Sequence, residues 1–462
     1  MKNILILGGG LTGLTSAWKL AEADNNVTVI EKQDKLGGIS STFKHKNFNL
    51  DYGPHKIYTQ IPEIMNEIKS LVKEENLLEI EKRSKIYLKG KYYDYPIGLK
   101  DILLKMNPLI GIKAGFSFGL RKAKNIVYKK EISYEDYLTN RFGKGIYELV
   151  FKPYAEKVWG NPKELDKELA SIRVSVPSLS ALLKNMLIKK KNPEISADKF
   201  YYPKYGIISL AEEMQENIEM NNGNILFNSY ITEMKLNDNF IEEVKIKEKS
   251  KVKKMKPDFI ISTIPIKELP KLLNAPQEII DAADSLKYRP LILFYIVANK
   301  DGLFNDNWIF YPEKDIIFNR ISEQKGFSKD MIPNDKTVLT VEITCDADSE
   351  LFKLNNKELY EKVIADLEKV NILSRNDVSE YFSAKLKDVY PVYDLEFKKN
   401  LNIILTYLSN IQNLITNGRQ GLFNYNNMDH CIDMGIKAAR YVINNSNDWY
   451  EKIKEFNYKI VD

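Results

Sequence analysis

Three glycines near the start of the chain have the spacing of a phosphate-binding turn. Gly8, Gly10 and Gly13 form the pattern G-x-G-x-x-G, and an acidic residue, Glu31, follows downstream. Gly8 would permit a tight turn, Gly10 would let backbone N–H groups approach a pyrophosphate, and Gly13 would let a helix pack close to a strand. Glu31 can accept hydrogen bonds from both hydroxyls of a ribose, and its charge would repel a 2′-phosphate. These residues together predict a dinucleotide-binding site.

The elements around this turn have the order that such a site needs. Residues 2–7 are an apolar run of strand length, residues 14–23 have apolar positions at helical spacing, and residues 27–30 form a second apolar strand. In this βαβ unit the free N–H groups and the positive dipole end of the helix face the phosphate. The pattern therefore predicts an enzyme that uses a nucleotide cofactor.

Composition and charge narrow the classes of function. The 462 residues include 44% hydrophobic and 28% charged residues, which is ordinary for a soluble protein with two domains. The net charge of +5 is small for this length and does not indicate a nucleic-acid partner. Cys345 and Cys431 lie far apart, so no disulfide framework is expected, and no ligand spacing predicts a metal site. We expect a cytoplasmic protein.

No transmembrane segment or signal peptide is expected. The first strand begins at residue 2, and no apolar run reaches the roughly eighteen residues of a membrane span. Residues 109–120 are apolar but short, and we expect a buried helix or a wall of the substrate cavity there. The lysines between Lys245 and Lys256 are expected on a solvated hairpin.

The chain is expected to form two domains, each built from separate segments. Residues 1–60, 200–285 and 411–462 are predicted to form the discontinuous cofactor-binding domain. Residues 61–199, which look largely helical, and residues 286–410, which look rich in strands, are predicted to form the substrate domain. Its cavity would lie at the domain boundary.

The substrate domain has its own strand and helix signals. A hairpin is predicted over residues 85–93, and a helix over residues 356–370. Further strands are predicted at residues 291–297, 308–311, 316–318, 338–344 and 378–387.

A Gly-Gly loop indicates which dinucleotide is bound. Gly37 and Gly38 follow the second strand, and the chain continues as an extended segment to Gly53-Pro54-His55 instead of another helix and strand. This arrangement resembles the flavoprotein superfamily of amine oxidases, protoporphyrinogen oxidases and UDP-galactopyranose mutases, in which the loop passes along FAD. The resemblance implies non-covalent FAD and an α/β fold. The expected fold is a Rossmann-like FAD-binding domain of the glutathione-reductase type with an inserted α+β substrate domain.

Further segments resemble the branch that contains UDP-galactopyranose mutase, in the same order along nearly the whole chain. They are residues 51–59, 143–160, 320–323, 390–392, 418–421 and 425–429. The resemblance implies that His55 lies beside the flavin, either as a proton shuttle or packed against the ring with its backbone near N5. Trp159 would contact the substrate or be a core residue.

Four arginines and two tyrosines suit a diphosphate. Guanidinium groups bind phosphate oxygens through paired hydrogen bonds, and phenols donate one bond each. In the mutase branch the matching Arg and Tyr positions hold the UDP diphosphate. The resemblance therefore implies catalytic roles for His55, Arg173 and Arg289. The predicted substrate-binding residues are Trp159, Arg173, Arg289, Arg320, Tyr390 and Tyr425, with Arg419 nearby.

The C-terminal segment is expected to complete the cofactor site. Gly418 and Arg419 follow a strand, and a helix beginning at Met428 can point its N-terminus at a flavin carbonyl. Asp429 would be either a helix-capping acid or a ligand contact, and Cys431 a buried thiol. The predicted cofactor-binding residues are Gly8, Gly10, Leu11, Thr12, Gly13, Glu31, Lys32, Gly37, Gly38, Ile39, Gly53, Pro54, His55, Gly418, Arg419, Asn427 and Met428.

The sequence and the resemblance leave two candidate reactions. The first is hydride transfer between a substrate and flavin N5 by an FAD-dependent oxidoreductase, acting on an activated sugar in cell-surface polysaccharide biosynthesis. The alternative is redox-neutral ring contraction, in which reduced flavin N5 attacks the anomeric carbon of a UDP-sugar. NAD(P)H is a candidate transient reductant, and the expected partner is a small molecule. The sequence does not predict the oligomeric state.

Overall fold

The glycine-rich turn connects the first strand of the protein to its first helix. The computed structural model describes residues 1–97, 130–174 and 198–456, together with residues 458 and 460. The apolar segment over residues 109–120 lies outside the described residues, so the expectation for it stays a prediction.

The strands and helices of the described residues are as follows. The strands are β1 (Asn3–Leu7), β2 (Asn26–Ile30), β3 (Thr42–His45), β4 (Phe48–Asp51), β5 (Leu77–Glu81), β6 (Ser84–Leu88), β7 (Lys91–Asp94), β8 (Lys199–Pro203), β9 (Asn224–Leu226), β10 (Ser229–Asn237), β11 (Phe240–Glu248), β12 (Lys251–Met255), β13 (Phe259–Ser262), β14 (Tyr288–Ala298), β15 (Trp308–Phe310), β16 (Arg320–Glu323), β17 (Thr337–Thr344), β18 (Val378–Pro391) and β19 (Leu414–Thr416). The helices are α1 (Leu11–Glu22), α2 (Pro62–Leu71), α3 (Tyr134–Ile146), α4 (Lys152–Val158), α5 (Lys167–Arg173), α6 (Ser209–Met220), α7 (Leu269–Leu272), α8 (Gln277–Asp284), α9 (Glu350–Lys353), α10 (Asn356–Lys369), α11 (Phe397–Ser409), α12 (Gly418–Gly421), α13 (Met428–Ile443) and α14 (Trp449–Lys452).

A five-stranded parallel sheet carries the glycine turn. Its strand order is β19-β13-β1-β2-β9, so β1 lies at the centre and the sheet draws on three separate parts of the chain. The side chains of Ile4 to Leu7 are all buried, as expected for a parallel strand that is covered on both faces. Helix α1 packs against α13 and α6. A Cβ added at Gly435 of α13 would lie 2.6 Å from the Cβ of Thr15, which shows how closely α13 approaches α1.

A seven-stranded mixed sheet forms the second layer. Its order is β18-β14-β17-β16-β15-β6-β7, and the only parallel pair within it is β15 with β6. Strands β6 and β7 come from the first insertion, whereas the other strands come from the second. Both insertions therefore contribute to one sheet. The division of the chain into the two predicted domains stays a prediction.

Strand β14 joins the two hydrophobic cores of the molecule. Leu293 and Tyr295 point into the core that is shared with the parallel sheet, whereas Ile292, Phe294 and Ile296 point into a second core beneath α10. Because both faces of β14 are covered, its sequence is a continuous apolar run instead of an alternating one.

Most of the predicted elements are confirmed within one or two residues, but two differences affect the site. Residues 316–318 were predicted to be a strand, and this is wrong: they form a turn that leads into β16. The apolar residues Ile316 and Phe318 gave the strand signal in the sequence. In the structure they fill the second core from a loop. The prediction also missed several strands, among them β16, which begins with Arg320.

No helix among the described residues is both long enough and apolar enough to cross a bilayer. The same part of the chain contains no group of three or more His, Cys, Asp and Glu side chains arranged to hold a metal ion.

Candidate active site

The glycine turn has the shape that a pyrophosphate needs. Gly8 has a positive φ of 100°, and a Cβ at Gly13 would lie 2.1 Å from the carbonyl oxygen of Gly8. Gly10, in contrast, is the N-cap of α1, and a Cβ there would meet nothing within 4 Å. No side chain caps the helix, so its first N–H groups face open space. The predicted roles of these glycines agree with this geometry.

Glu31 and the Gly-Gly loop lie directly against the turn. The Glu31 carboxylate accepts hydrogen bonds from the N–H of Gly9 and of Gln33, both at 2.7 Å. The N–H of Gly37 donates to the carbonyl of Gly9 at 2.8 Å, and a Cβ at Gly38 would lie 3.5 Å from the Cα of Gly10. The open space above Gly10 is therefore bordered by glycine backbone, which fits the diphosphate of FAD.

The Gly53-Pro54-His55 segment follows β4 and is fixed by a buried carboxylate. Asp51 Oδ1 accepts a hydrogen bond from Thr42 Oγ1 at 2.6 Å, and Oδ2 accepts one from Tyr202 Oη at 2.5 Å. The Asp51 carbonyl accepts a bond from Tyr295 Oη at 2.8 Å. Strand β4 is thereby tied to β3, β8 and β14 at the point where the chain turns toward His55.

His55 is a buried imidazole near this carboxylate. Its Nδ1 lies 3.9 Å from Asp51 Oδ2, which is longer than a hydrogen bond. Burial, with the positive charges of Arg320 and Arg419, lowers the pKa of His55 to about 4. Burial also raises the pKa of Asp51 to about 6, although its hydrogen bonds act in the opposite direction. At neutral pH His55 is therefore uncharged and can accept a proton but has none to release as an imidazolium.

The C-terminal loop approaches the glycine turn from the other side. A Cβ at Gly418 would lie 2.9 Å from Thr12 Oγ1 on α1. Arg419 is the next residue of this loop. Its guanidinium donates to the carbonyl of Asn426 at 2.9 Å and to that of Val389 on β18 at 3.2 Å. Arg419 therefore connects the cofactor loop to the seven-stranded sheet.

The first turn of α13 shows which residue caps that helix. Asn427 is the N-cap, in a capping box with His430, so Asp429 is not the capping acid. Asp429 is buried, its Oδ1 has no hydrogen-bond partner among the described residues, and burial raises its pKa. This leaves Asp429 as a candidate ligand contact. Burial also raises the pKa of the Cys431 thiol.

The predicted arginines lie near Tyr390, and one of them binds a buried acid. Arg320 binds Glu342 through two hydrogen bonds, Nε to Oε1 at 2.5 Å and an Nη to Oε2 at 2.9 Å. Arg289 lies on β14, directly opposite Tyr390 on β18. The positive charges of Arg320, Arg173 and Arg419 all act on the Tyr390 hydroxyl, which shows that these groups are neighbours.

Aromatic side chains line the same region. Trp159 is buried, and its ring packs against Tyr134 and Tyr154 at centroid distances of 5.9 and 5.8 Å. The Arg173 guanidinium lies 5.8 Å from the ring centroids of both Trp159 and Tyr425. Trp159 is therefore packed in the core and also neighbours a predicted substrate residue, so the two interpretations of it are compatible.

Sequence reasoning missed three residues of this region. Tyr154 lies between Arg320 and Arg173, and burial raises its pKa. Glu342 and Asp51 are buried acids that organise the site from inside strands. Glu342 interrupts the apolar run VLTVEIT, and Asp51 is the last residue of β4, so the available signal was a single charge within or at the end of a strand.

Comparison with known proteins identifies the family of this chain. Residues 11–383 match the model of the flavin containing amine oxidoreductases. The chain belongs to this family. The cofactor expected of the family, a flavin, agrees with the open glycine cradle, and the predicted resemblance is confirmed.

Individual members of the flavin containing amine oxidoreductases are similar over part of the chain. A Klebsiella pneumoniae protein described as a probable UDP-galactopyranose mutase is 27% identical over 168 residues, which is 36% of this chain and 43% of that protein. The coproporphyrinogen III oxidase of Staphylococcus aureus is 24% identical over 260 residues, which is 50% of this chain and 55% of that enzyme. The chain thus spans about half the length of the curated relatives that it matches.

A solved structure shares the fold over its full length. The structure of a reduced UDP-galactopyranose mutase superposes with a TM-score of 0.85 at 20% identity, over 99% of both chains. This similarity confirms the predicted fold class, a Rossmann-like cofactor domain with an inserted domain.

Proposed function

We propose that the protein is an FAD-dependent enzyme that acts on a nucleoside-diphosphate sugar. The observation that carries the proposal is the placement of four arginines about one tyrosine. Arg173, Arg320 and Arg419 act on the Tyr390 hydroxyl, and Arg289 lies directly opposite Tyr390 on the neighbouring strand. Such an excess of positive charge in a buried region favours an anionic ligand of more than one charge. A sugar diphosphate has that charge, and the adjacent aromatic rings can pack on its neutral parts.

The cofactor would be held by backbone and by a few fixed side chains. The N–H groups at the start of α1 and the space above Gly10 suit the pyrophosphate. Glu31 is fixed by Gly9 and Gln33 and has lone pairs left for ribose hydroxyls. The segment at His55 and the start of α13 would flank the flavin ring. FAD supplies either a hydride acceptor or, when reduced, a nucleophilic nitrogen.

Of the two candidate reactions, the redox-neutral mutase reaction has the stronger support. The fold matches a reduced UDP-galactopyranose mutase over its full length, and the arginine group suits the diphosphate leaving group of such a reaction. In this reaction Arg289 would bind the departing diphosphate, and the buried aromatic wall around Trp159 would exclude water from the sugar.

Net oxidation of a substrate is the second candidate. It is supported by the family description, amine oxidoreductases, and by the similarity to coproporphyrinogen III oxidase. The two candidates differ in stoichiometry, because an oxidoreductase needs an electron acceptor in each turnover, whereas a mutase needs its flavin reduced only once.

The test is to supply UDP-galactose to the FAD-loaded protein under anaerobic conditions, after reduction by dithionite or by NAD(P)H. We expect an isomeric sugar nucleotide in many turnovers while the flavin absorbance stays constant. Product that forms only as the flavin changes its redox state would favour the oxidoreductase. Failure of UDP to bind, measured by calorimetry, would contradict the sugar-nucleotide proposal.

A pair of variants separates the arginine group from general charge effects. Arg289→Ala should weaken UDP binding by about tenfold or more, because a charge-assisted hydrogen bond contributes roughly 1.5–3 kcal/mol. Arg375→Ala is the control, since Arg375 is a surface residue paired with Glu361. Equal binding by the two variants would show that Arg289 does not contact the nucleotide.

A further inference from the structure

Two arginines of the site are paired with carboxylates in different ways. Arg320 makes two hydrogen bonds to Glu342, whose side chain is only 1% exposed. Separating the two groups would therefore leave a buried charge without its partner. Arg289 has one ionic contact, from an Nη to Asp346 Oδ1 at 3.2 Å, and the Asp346 side chain is 67% exposed. The first pair is therefore fixed, whereas Asp346 can move into water once another anion takes its place at Arg289.

Arg289 itself is held in place and retains free donors. Its side chain is 12% exposed, it lies on β14 opposite Tyr390, and a Cβ at Gly160 would lie 3.2 Å from one of its Nη atoms. Its Nε is buried and has no hydrogen-bond partner among the described residues. The guanidinium is therefore largely buried and keeps a donor that Asp346 does not use.

Asp346 lies at an exposed position, from which its side chain can move away from Arg289. It follows the last residues of β17 and Cys345, in an exposed turn that precedes α9. When its carboxylate leaves Arg289 it enters water, where it is fully hydrated. An anion that binds Arg289 must displace this carboxylate or lie beside it and be repelled by it.

We propose that Asp346 is a built-in competitor for the anionic part of the substrate, and that it sets the affinity and charge selectivity of Arg289. The inference rests on the proposed function, because it requires an anionic ligand at Arg289. A ligand with a diphosphate can displace Asp346, whereas a ligand with a weak or single charge gains too little from doing so. Asp346 therefore acts through Arg289 as a specificity-determining residue and takes no part in the chemistry.

The test compares Asp346→Asn with Asp348→Asn, which removes the same charge from a neighbouring exposed position. Binding of UDP, inorganic pyrophosphate and uridine to the FAD-loaded protein is measured by calorimetry. We expect Asp346→Asn to tighten UDP and pyrophosphate about two- to fivefold, the range for one exposed ion pair, and to leave uridine unchanged. Asp348→Asn should behave as the wild type.

Two further results decide the inference. In an Arg289→Ala background, Asp346→Asn should no longer tighten UDP, since the competition requires Arg289. Equal effects of the two Asn variants, or equal tightening of uridine, would overturn the inference while leaving the proposed function intact. Tightening of pyrophosphate without any binding of UDP would support Asp346 and contradict the sugar-nucleotide proposal. A wild type that binds neither anion contradicts both.

Discussion

Asp51 and His55 are a buried acid and a buried base whose pKa values are shifted in opposite directions. Both shifts come mainly from burial, which disfavours the charged form of each group. Near neutral pH His55 is therefore uncharged, whereas the Asp51 carboxyl, with a pKa of about 6, is mostly ionised. Arg320 is already neutralised by Glu342, through two hydrogen bonds.

The pH dependence of stability should reveal this pair. The Asp51 pKa rises from 3.8 to about 6 on folding, so its stabilising contribution is full below pH 3.8 and is lost as the pH rises to about 6. The His55 pKa falls from 6.5 to about 4, so stability is lost as the pH falls through this range. Each change corresponds to roughly 3 kcal/mol, and the two nearly offset each other.

Single substitutions should therefore expose opposite slopes. The free energy of unfolding of each variant is measured in urea between about pH 4 and 6. Relative to the wild type, that of His55→Gln should fall as the pH rises, because Asp51 alone is left to titrate. That of Asp51→Asn should rise as the pH rises, because His55 alone is left. Asp348→Asn, an exposed carboxylate, is the control for a change of net charge. Parallel profiles for all four proteins would mean that the two groups titrate normally.

At the scale of elements, different glycines of the glycine turn are suited to packing and to ligand binding. Gly13 is needed so that α1 can lie against β1, whereas Gly10 borders space that is empty of protein. The same short turn therefore contains one glycine that the packing requires and another that leaves open space, where we propose that the cofactor binds. The Gly-Gly loop and the loop at Gly418 approach the turn in the same way, through backbone.

Alanine substitutions should separate these two roles. Gly13→Ala should destabilise the flavin-free protein by about 1–3 kcal/mol or more, because its Cβ would overlap the carbonyl of Gly8. Gly10→Ala, whose φ of −77° suits any residue, should stay within about 1 kcal/mol of the wild type. It should nevertheless weaken FAD binding at least tenfold, or about 1.4 kcal/mol.

Urea unfolding of the flavin-free variants and titration with FAD provide the two readouts. The prediction fails if Gly10→Ala binds FAD as tightly as the wild type, since the phosphates would then lie elsewhere.

At the scale of the molecule, the two main sheets depend on each other. The parallel sheet needs strands from residues 3–30, 224–262 and 414–416, and the mixed sheet uses the chain between them. One continuous core contains residues of both sheets. Two hydrogen bonds then bridge to the mixed sheet: Arg419, just after β19 of the parallel sheet, donates to Val389 on β18, and the carbonyl of Asp51 on β4 accepts from Tyr295 on β14. The site lies where these bridges meet, so its geometry depends on both sheets.

We therefore expect the protein to unfold in a single transition in differential scanning calorimetry. FAD at about a hundred times its dissociation constant should stabilise the whole molecule by about 2.7 kcal/mol and shift that transition upward. Two separate transitions, with only one moved by FAD, would show that the sheets unfold independently.

The sequence by itself determined the local features of the cofactor site. The glycine spacing, the flanking apolar runs and Glu31 are signals within one short segment, and the resulting turn follows from backbone sterics. The resemblance of collinear segments also predicted the flavin family, which the family match confirms. The sequence predicted many of the strands but missed β16, and loop residues such as Ile316 imitate a strand because they fill a core.

Only the tertiary structure decided how distant residues act on one another. That Glu342 neutralises Arg320, that Asp346 contacts Arg289 and that Asp51 is buried by Tyr202 are contacts between residues far apart in the chain or on different strands. Local patterns contain no information about such pairs, because burial and charge pairing arise only when the sheets come together. The pKa of His55 is lowered for the same reason: the groups that desolvate it come from the whole fold.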